Sequence, residues 1–191
     1  MEEKEIKDFW EREHRIMAID PSLRNTGVCY RDVKTNELVQ RTIKVKEKEE
    51  IVAIGRLYII VDNLLHYQKT SLVVIEGYSY ASKGSAAVTM GAVGGMLRTL
   101  SYGLAGAVLE VPPTLWKKLM FGRNAKKEEH KFLAFKHYKM EFDSLDECDA
   151  TMMYGLVSKG LMQNKWKFKP DEKRVKELKS SIVERLAWKA F

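Results

Sequence analysis

Three stretches of the chain are apolar almost without interruption, and each stops at an acid or a proline. Ile16-Met17-Ala18-Ile19 ends at Asp20-Pro21, Ser71-Leu72-Val73-Val74-Ile75 ends at Glu76, and Ala107-Val108-Leu109-Glu110-Val111 ends at Pro112-Pro113. Short runs without alternation predict strands buried on both faces. Proline closes them because it has no N–H for a sheet ladder. Thr26 to Arg31 and Leu38 to Val45 read as two more strands, joined by the polar Lys34-Thr35-Asn36-Glu37.

Lys48 to Tyr67 repeats at helical spacing, with Ile51, Ile54, Leu57, Tyr58, Val61, Leu64 and Leu65 on one face. Ser85 to Tyr102 reads as a helix rich in small residues, Gly91, Gly94 and Gly95 among them. Each helical glycine costs about 1 kcal/mol relative to alanine. They imply close approach by another element: first a neighbour in the same chain, second a dimer partner. Residues 114–140 alternate short helices with basic loops. Ser144-Leu145-Asp146-Glu147 is a capping box that opens a helix to about Gly160. Val175, Leu178, Ile182 and Leu186 recur near helical spacing and predict a packing helix. Three strands feeding β-α-β units predict an α/β fold, a mixed five-stranded sheet with helices on both faces.

Composition narrows the function only a little. The 191 residues are 45% hydrophobic, so a sizeable core needs no staples. Lys and Arg number 33 against 26 Asp and Glu, for a net charge of +7, which favours a polyanionic partner without specifying one. Cys29 and Cys148 are far apart and form no CxxC pair, so neither a disulfide framework nor a zinc site is expected, but two reduced, buried thiols in a cytoplasmic protein. The N-terminus lacks the apolar centre of a signal peptide. The apolar stretch 86–111 contains Arg98 and Glu110. An arginine at a bilayer centre costs about 2.5–3.5 kcal/mol, so no membrane partner is expected.

The carboxylates matter by location. Asp20 ends the first buried strand and Glu76 the fourth, while Asp146 and Asp149 lie three apart on one face of a late helix. If the first and fourth strands are neighbours, their ends lie side by side, and a helix across that edge adds its own pair. Several acids in one place repel unless they take up protons or bind cations. Oxygen-only ligands suit Mg²⁺ or Mn²⁺, and two such ions about 3.5–4 Å apart can drive phosphodiester cleavage. Each acid alone also has a structural use: Asp20 in a turn before proline, Asp146 at a helix N-terminus, Glu76 as a strand-end charge.

The residues around these acids resemble a known family. Ala18-Ile19-Asp20-Pro21-Ser22-Leu23-Arg24-Asn25-Thr26-Gly27 is similar to the opening of RuvC-like Holliday junction resolvases, with Ser22 standing where the family has glycine. Val74-Ile75-Glu76-Gly77-Tyr78-Ser79-Tyr80 resembles their second motif and Asp146-Glu147-Cys148-Asp149-Ala150 their terminal DxxDA. The resemblance implies an RNase H-like nuclease domain over 15–160, flanked by an N-terminal extension over 1–14 and a basic helical tail over 161–191. It further implies a homodimer that makes paired nicks in four-way DNA junctions with Mg²⁺ or Mn²⁺, two ions per site, held by catalytic Asp20, Glu76, Asp146 and Asp149. Tyr78 or Tyr80 then lies where the family carries an aromatic near the junction crossing, and either can stack on a base or simply pack.

Residues 115–140 carry Lys117, Lys118, Arg123, Lys126, Lys127, Lys131, Lys136 and Lys139 against Glu128 and Glu129. By the resemblance, Lys117 and Lys127 contact phosphate. A shifted register brings in Lys118 and Lys126, with Arg123 between, and a solvated charged face is the plain alternative. Two other functions fit parts of the pattern. One is a less selective branched-DNA or flap nuclease, which needs the same acids. The other is a non-cleaving nucleotide- or DNA-structure-binding module, which has no need of Glu76, Asp146 and Asp149 together.

Overall fold

The computed structural model describes residues 13–77 and 84–187, with side chains described as far as Ser180. Strands β1 (Ile16–Asp20), β2 (Asn25–Arg31) and β3 (Leu38–Lys44) form an antiparallel meander. Helix α1 (Glu50–Tyr67) leads to β4 (Leu72–Glu76), and α2 (Ser85–Leu104) leads to β5 (Ala107–Val111). The sheet order is β3-β2-β1-β4-β5, with β1, β4 and β5 parallel. This is the expected mixed five-stranded sheet. After β5 come α3 (Pro113–Phe121), a 3₁₀ turn (Lys127–Glu129), α4 (His130–Tyr138), α5 (Leu145–Gly155) with a π-helical turn to Leu161, and α6 (Glu172–Ala187). Pro113 opens α3 at a position where its missing N–H costs nothing.

Strand side chains alternate between two cores. Met17, Ile19, Val73, Ile75 and Val108 face α1 and α2. Ile16, Ala18, Leu72, Val74 and Leu109 face α3 to α6. Helices on both faces explain why these strands read as continuous apolar runs. They also decide where the acids point. Asp20 shares the parity of Ile16 and Ala18, and Glu76 that of Leu72 and Val74, so both fall on the α5 side.

Helix α1 buries Ala53, Leu57, Val61, Leu64 and Leu65. Two residues assigned to its inner face are outside: Ile51 is 74% and Tyr58 44% exposed. Ala53, fully buried, lies in the inner row in their place. In α2 the inner row is Val93, Gly94, Leu97, Leu100 and Ser101. Among the described residues, nothing lies within 4 Å of where a Cβ would sit at Gly91 or Gly95, whereas Gly94 lies in the buried row.

Arg98 lies 3.0 Å from Glu110 and donates to the carbonyl oxygen of Glu76 at 3.2 Å. The charges inside the apolar stretch thus pair within the fold. Among the described residues, no helix is long and apolar enough to cross a membrane. Cys29 and Cys148 are free and buried; burial pushes the Cys29 thiol up to about 12. In the tail, α6 buries Leu178, with Val175 packed beside it against the core of the α5 side.

Candidate active site

The parallel register sets Ile19 beside Ile75, so Asp20 and Glu76 follow as neighbours at the ends of adjacent strands. Across β1 and β2, Asp20 pairs with Gly27, and across β2 and β3, Gly27 pairs with Thr42. The start of α5 lies along this row. The Asp146 carbonyl sits against Gly27, where an added Cβ would be 2.0 Å from its oxygen. Glu147 accepts a hydrogen bond from the Thr42 main-chain N–H at 3.0 Å, and the Thr42 and Ser144 hydroxyls are 2.6 Å apart.

The capping box is therefore half formed. Ser144 Oγ accepts from the Glu147 N–H at 3.0 Å, while the Glu147 carboxylate is turned to β3. The helix is capped and docked by the same four residues. The turn before β2 is tied by hydrogen bonds between Thr26 and Ser22. Ser22 is not among the residues with positive φ, so a side chain is accommodated where the resembled family has glycine.

Asp20 and Asp149 are buried, and Asp146 and Glu76 are half-buried. Burial, then the charges of Glu76, Asp149 and Asp146, hold the Asp20 carboxyl well above its ordinary value, against an opposing pull from Lys127. Burial, with the Asp149 charge, also raises Glu76, which is hydrogen bonded to Asp20 and opposed by Lys117. Burial raises Asp146 too, while Lys127 opposes the shift. The four predicted acids thus act on one another at one corner of the sheet. Among the described residues, no group of three or more His, Cys, Asp or Glu side chains is arranged to hold a metal ion.

Two side chains that the sequence did not reveal hold these acids. Trp116 Nε1 donates to Glu76 Oε1 at 2.8 Å, and His130 Nδ1 lies 2.6 Å from Asp149 Oδ1. Nothing around Trp116 marks it, because Lys117 and Lys118 make its neighbourhood look exposed, and His130 stands in an equally charged run.

Of the predicted phosphate contacts, Lys117 and Lys127 are the two whose charges bear on the acids. Lys118 and Lys126 are exposed, and Arg123 is paired with Glu129. Tyr78 and Tyr80 lie outside the described residues, as does most of the 1–14 extension. A 970 Å³ groove lined by Arg15, Arg31, Tyr154 and Trp166 among others opens beside the start of β1, at the far end of that strand from Asp20.

No family model matches the sequence, and neither does any curated protein. Solved structures do match the fold. RuvC of T. thermophilus in complex with a Holliday junction substrate aligns with a TM-score of 0.60 and 18% identity, over 78% of this chain and 98% of that one. A second Thermus thermophilus RuvC structure aligns at 0.58 and 17% identity, over 75% and 95%. By this superposition the chain has the fold of RuvC.

Proposed function

We propose that the protein is a metal-dependent endonuclease that resolves four-way DNA junctions by paired nicks. The carrying observation is that Asp20 and Glu76, ending neighbouring strands, share one corner with Asp146 and Asp149 of α5, with Lys117 and Lys127 beside them. The donor set is all oxygen, which fits Mg²⁺ or Mn²⁺, and a divalent cation would offset both the burial and the added repulsion that raise Asp20 and Glu76. In this reading Asp20 and Asp149 are the central ligands, and Glu76 and Asp146 complete the set. Two ions there would activate a water and stabilise the leaving oxygen of a phosphodiester.

The chain's own cations position the substrate. Lys117 and Lys127 hold phosphates at the mouth of the site, and Lys118, Arg123 and Lys126 extend that basic edge without reading sequence. The fold of RuvC, solved with a Holliday junction, supports branched DNA as the partner. Paired nicks need two sites, hence two copies. The outer surface of α1 and α2 supports a second copy, because Ile51 and Val88 are each more than 70% exposed and Glu50 is hydrogen bonded to Thr89 between the helix starts.

Incubation with a mobile four-way junction tests the reading, with and without Mg²⁺, beside Asp20→Asn. Paired, symmetric nicks are expected only with metal and native Asp20. Equal cutting of flaps and three-way forks would make it a general branched-DNA nuclease. A non-cleaving junction binder is the reading favoured by the lack of a ready-made metal group among the described residues, and metal-independent binding without any cutting would establish it.

A further inference from the structure

Both hydrogen bonds to the acids come from one buried aromatic cluster. The ring centroids of Trp116 and His130 are 5.4 Å apart, Phe121 lies 5.7 Å from the first and 5.6 Å from the second, and all three are almost fully buried. The cluster sits on the α5 side of the sheet, between Glu76 at the end of β4 and Asp149 on α5.

We infer that Trp116 and His130 are positioning residues that aim Glu76 and Asp149 at the cation. The inference rests on the nuclease reading above. A carboxylate carries two oxygens and rotates about its last bond. Each ring nitrogen here contacts one named oxygen, Oε1 of Glu76 and Oδ1 of Asp149, and so fixes how that carboxylate is turned. The donors are fixed relative to each other because their rings pack together, with Phe121 against both. The His130 ring is held from its other side too, with Nε2 3.4 Å from the carbonyl oxygen of Ala125. Such outer hydrogen bonds typically set ligand orientation, and losing one costs about 10- to 100-fold in metal affinity.

A pure packing role does not account for the choice of residues. An indole N–H is a donor only, and a buried one needs an acceptor, so a core position is filled more cheaply by phenylalanine or leucine. Both polar atoms of this cluster instead point at acids of the same site. Their neighbours in sequence point the same way. Lys117 follows Trp116 directly on α3, and Lys127, on the 3₁₀ turn, precedes His130 at the start of α4 by three residues, so the proposed phosphate contacts and the braces lie on the same short segments.

The test uses Trp116→Phe, His130→Leu and His130→Asn in the full chain. The asparagine amide nitrogen falls near the place of Nδ1 and keeps the donor. Mn²⁺ affinity is measured by calorimetry on the protein alone, folding by thermal melting, and cleavage as kcat and KM for the junction. Trp116→Phe and His130→Leu are expected to bind Mn²⁺ at least tenfold more weakly and to lose kcat with KM held, while His130→Asn recovers most of the loss. Should His130→Leu fail to fold, Trp116→Phe and the comparison of His130→Asn with the native protein carry the result. Native Mn²⁺ affinity in folded Trp116→Phe and His130→Leu, or an asparagine variant no better than leucine, overturns the brace and leaves the nuclease standing. A native protein that binds no Mn²⁺ and cuts nothing removes the nuclease reading, and the brace with it.

Discussion

The main chain of Asp146 fills the space in which Gly27 would carry a side chain, with its carbonyl oxygen 2.0 Å from the place of a Cβ. Gly27 is also the cross-strand partner of Asp20. One glycine therefore lets a helix carrying two acids press against the strand beside the third. A backbone atom cannot swing aside as the end of a flexible side chain does. Gly27→Ala must push the start of α5 off the sheet, at a cost of about 1–3 kcal/mol from overpacking. Denaturant unfolding measures that cost. Junction cleavage should fall further than the loss of folded protein explains. A variant with native stability and native cleavage would show that the helix start is not pinned there.

The raised carboxyl of Asp20 makes stability depend on pH. In the unfolded chain this group titrates near its ordinary value, and in the folded protein well above it. Between the two values the folded state holds the extra proton. Its stabilising contribution is complete below the unfolded value and is lost as pH rises through the folded one. Without divalent cations, the native melting temperature should therefore drop by more than that of Asp20→Asn as pH rises above the ordinary carboxylate range. Mg²⁺ should restore it in the native protein alone. Thermal melts at constant ionic strength decide this, and identical pH slopes in the two proteins would clear Asp20 of the effect.

Asp20→Asn should separate stability from activity in the opposite sense. The substitution removes a buried negative charge from three others, so at neutral pH without metal the variant should melt higher than the native protein. It should bind four-way junctions at least as tightly and nick none of them. A variant that melts lower than native at neutral pH would mean that a hydrogen bond of Asp20 outweighs the repulsion.

Lys117 and Lys127 should appear in the salt dependence of junction binding. Each phosphate neutralised contributes about 0.9 to the slope of log affinity against log salt. Replacing both lysines by alanine should flatten that slope by about 1.8, and replacing Lys136 and Lys139, at the end of α4 and just past it, should change it little. Binding titrations across a range of salt read this out. Equal slopes in all three proteins would place the DNA elsewhere.

Much of this architecture could be read from patterns of neighbours. Unbroken apolar runs gave β1, β4 and β5, because helices cover both faces of the sheet, and the acids closing two of these runs came out side by side. The start of α5 was legible at Ser144, whose hydroxyl does cap the helix. What escaped was whatever depends on contacts between distant segments. Ile51 and Tyr58 fit the helical period of α1, but the buried row runs through Ala53, Leu57, Val61, Leu64 and Leu65. Glu147 had the spacing of a capping box, yet Thr42, more than a hundred residues earlier, takes its carboxylate. Trp116 and His130 sit among lysines and glutamates, and only the fold turns them inward to Glu76 and Asp149.

The sheet order has a consequence for how the corner comes into being. Its acids stand at positions 20, 76, 146 and 149, on elements separated by most of the folded domain, and the last of them is fastened by a histidine made only nineteen residues earlier. A ribosome-bound chain can pair β1 with β2 and β3, and later lay β4 and β5 alongside, while the corner still lacks its final wall. Any cutting power would thus switch on late in synthesis, once the segment beyond residue 144 has left the exit tunnel and settled on Gly27.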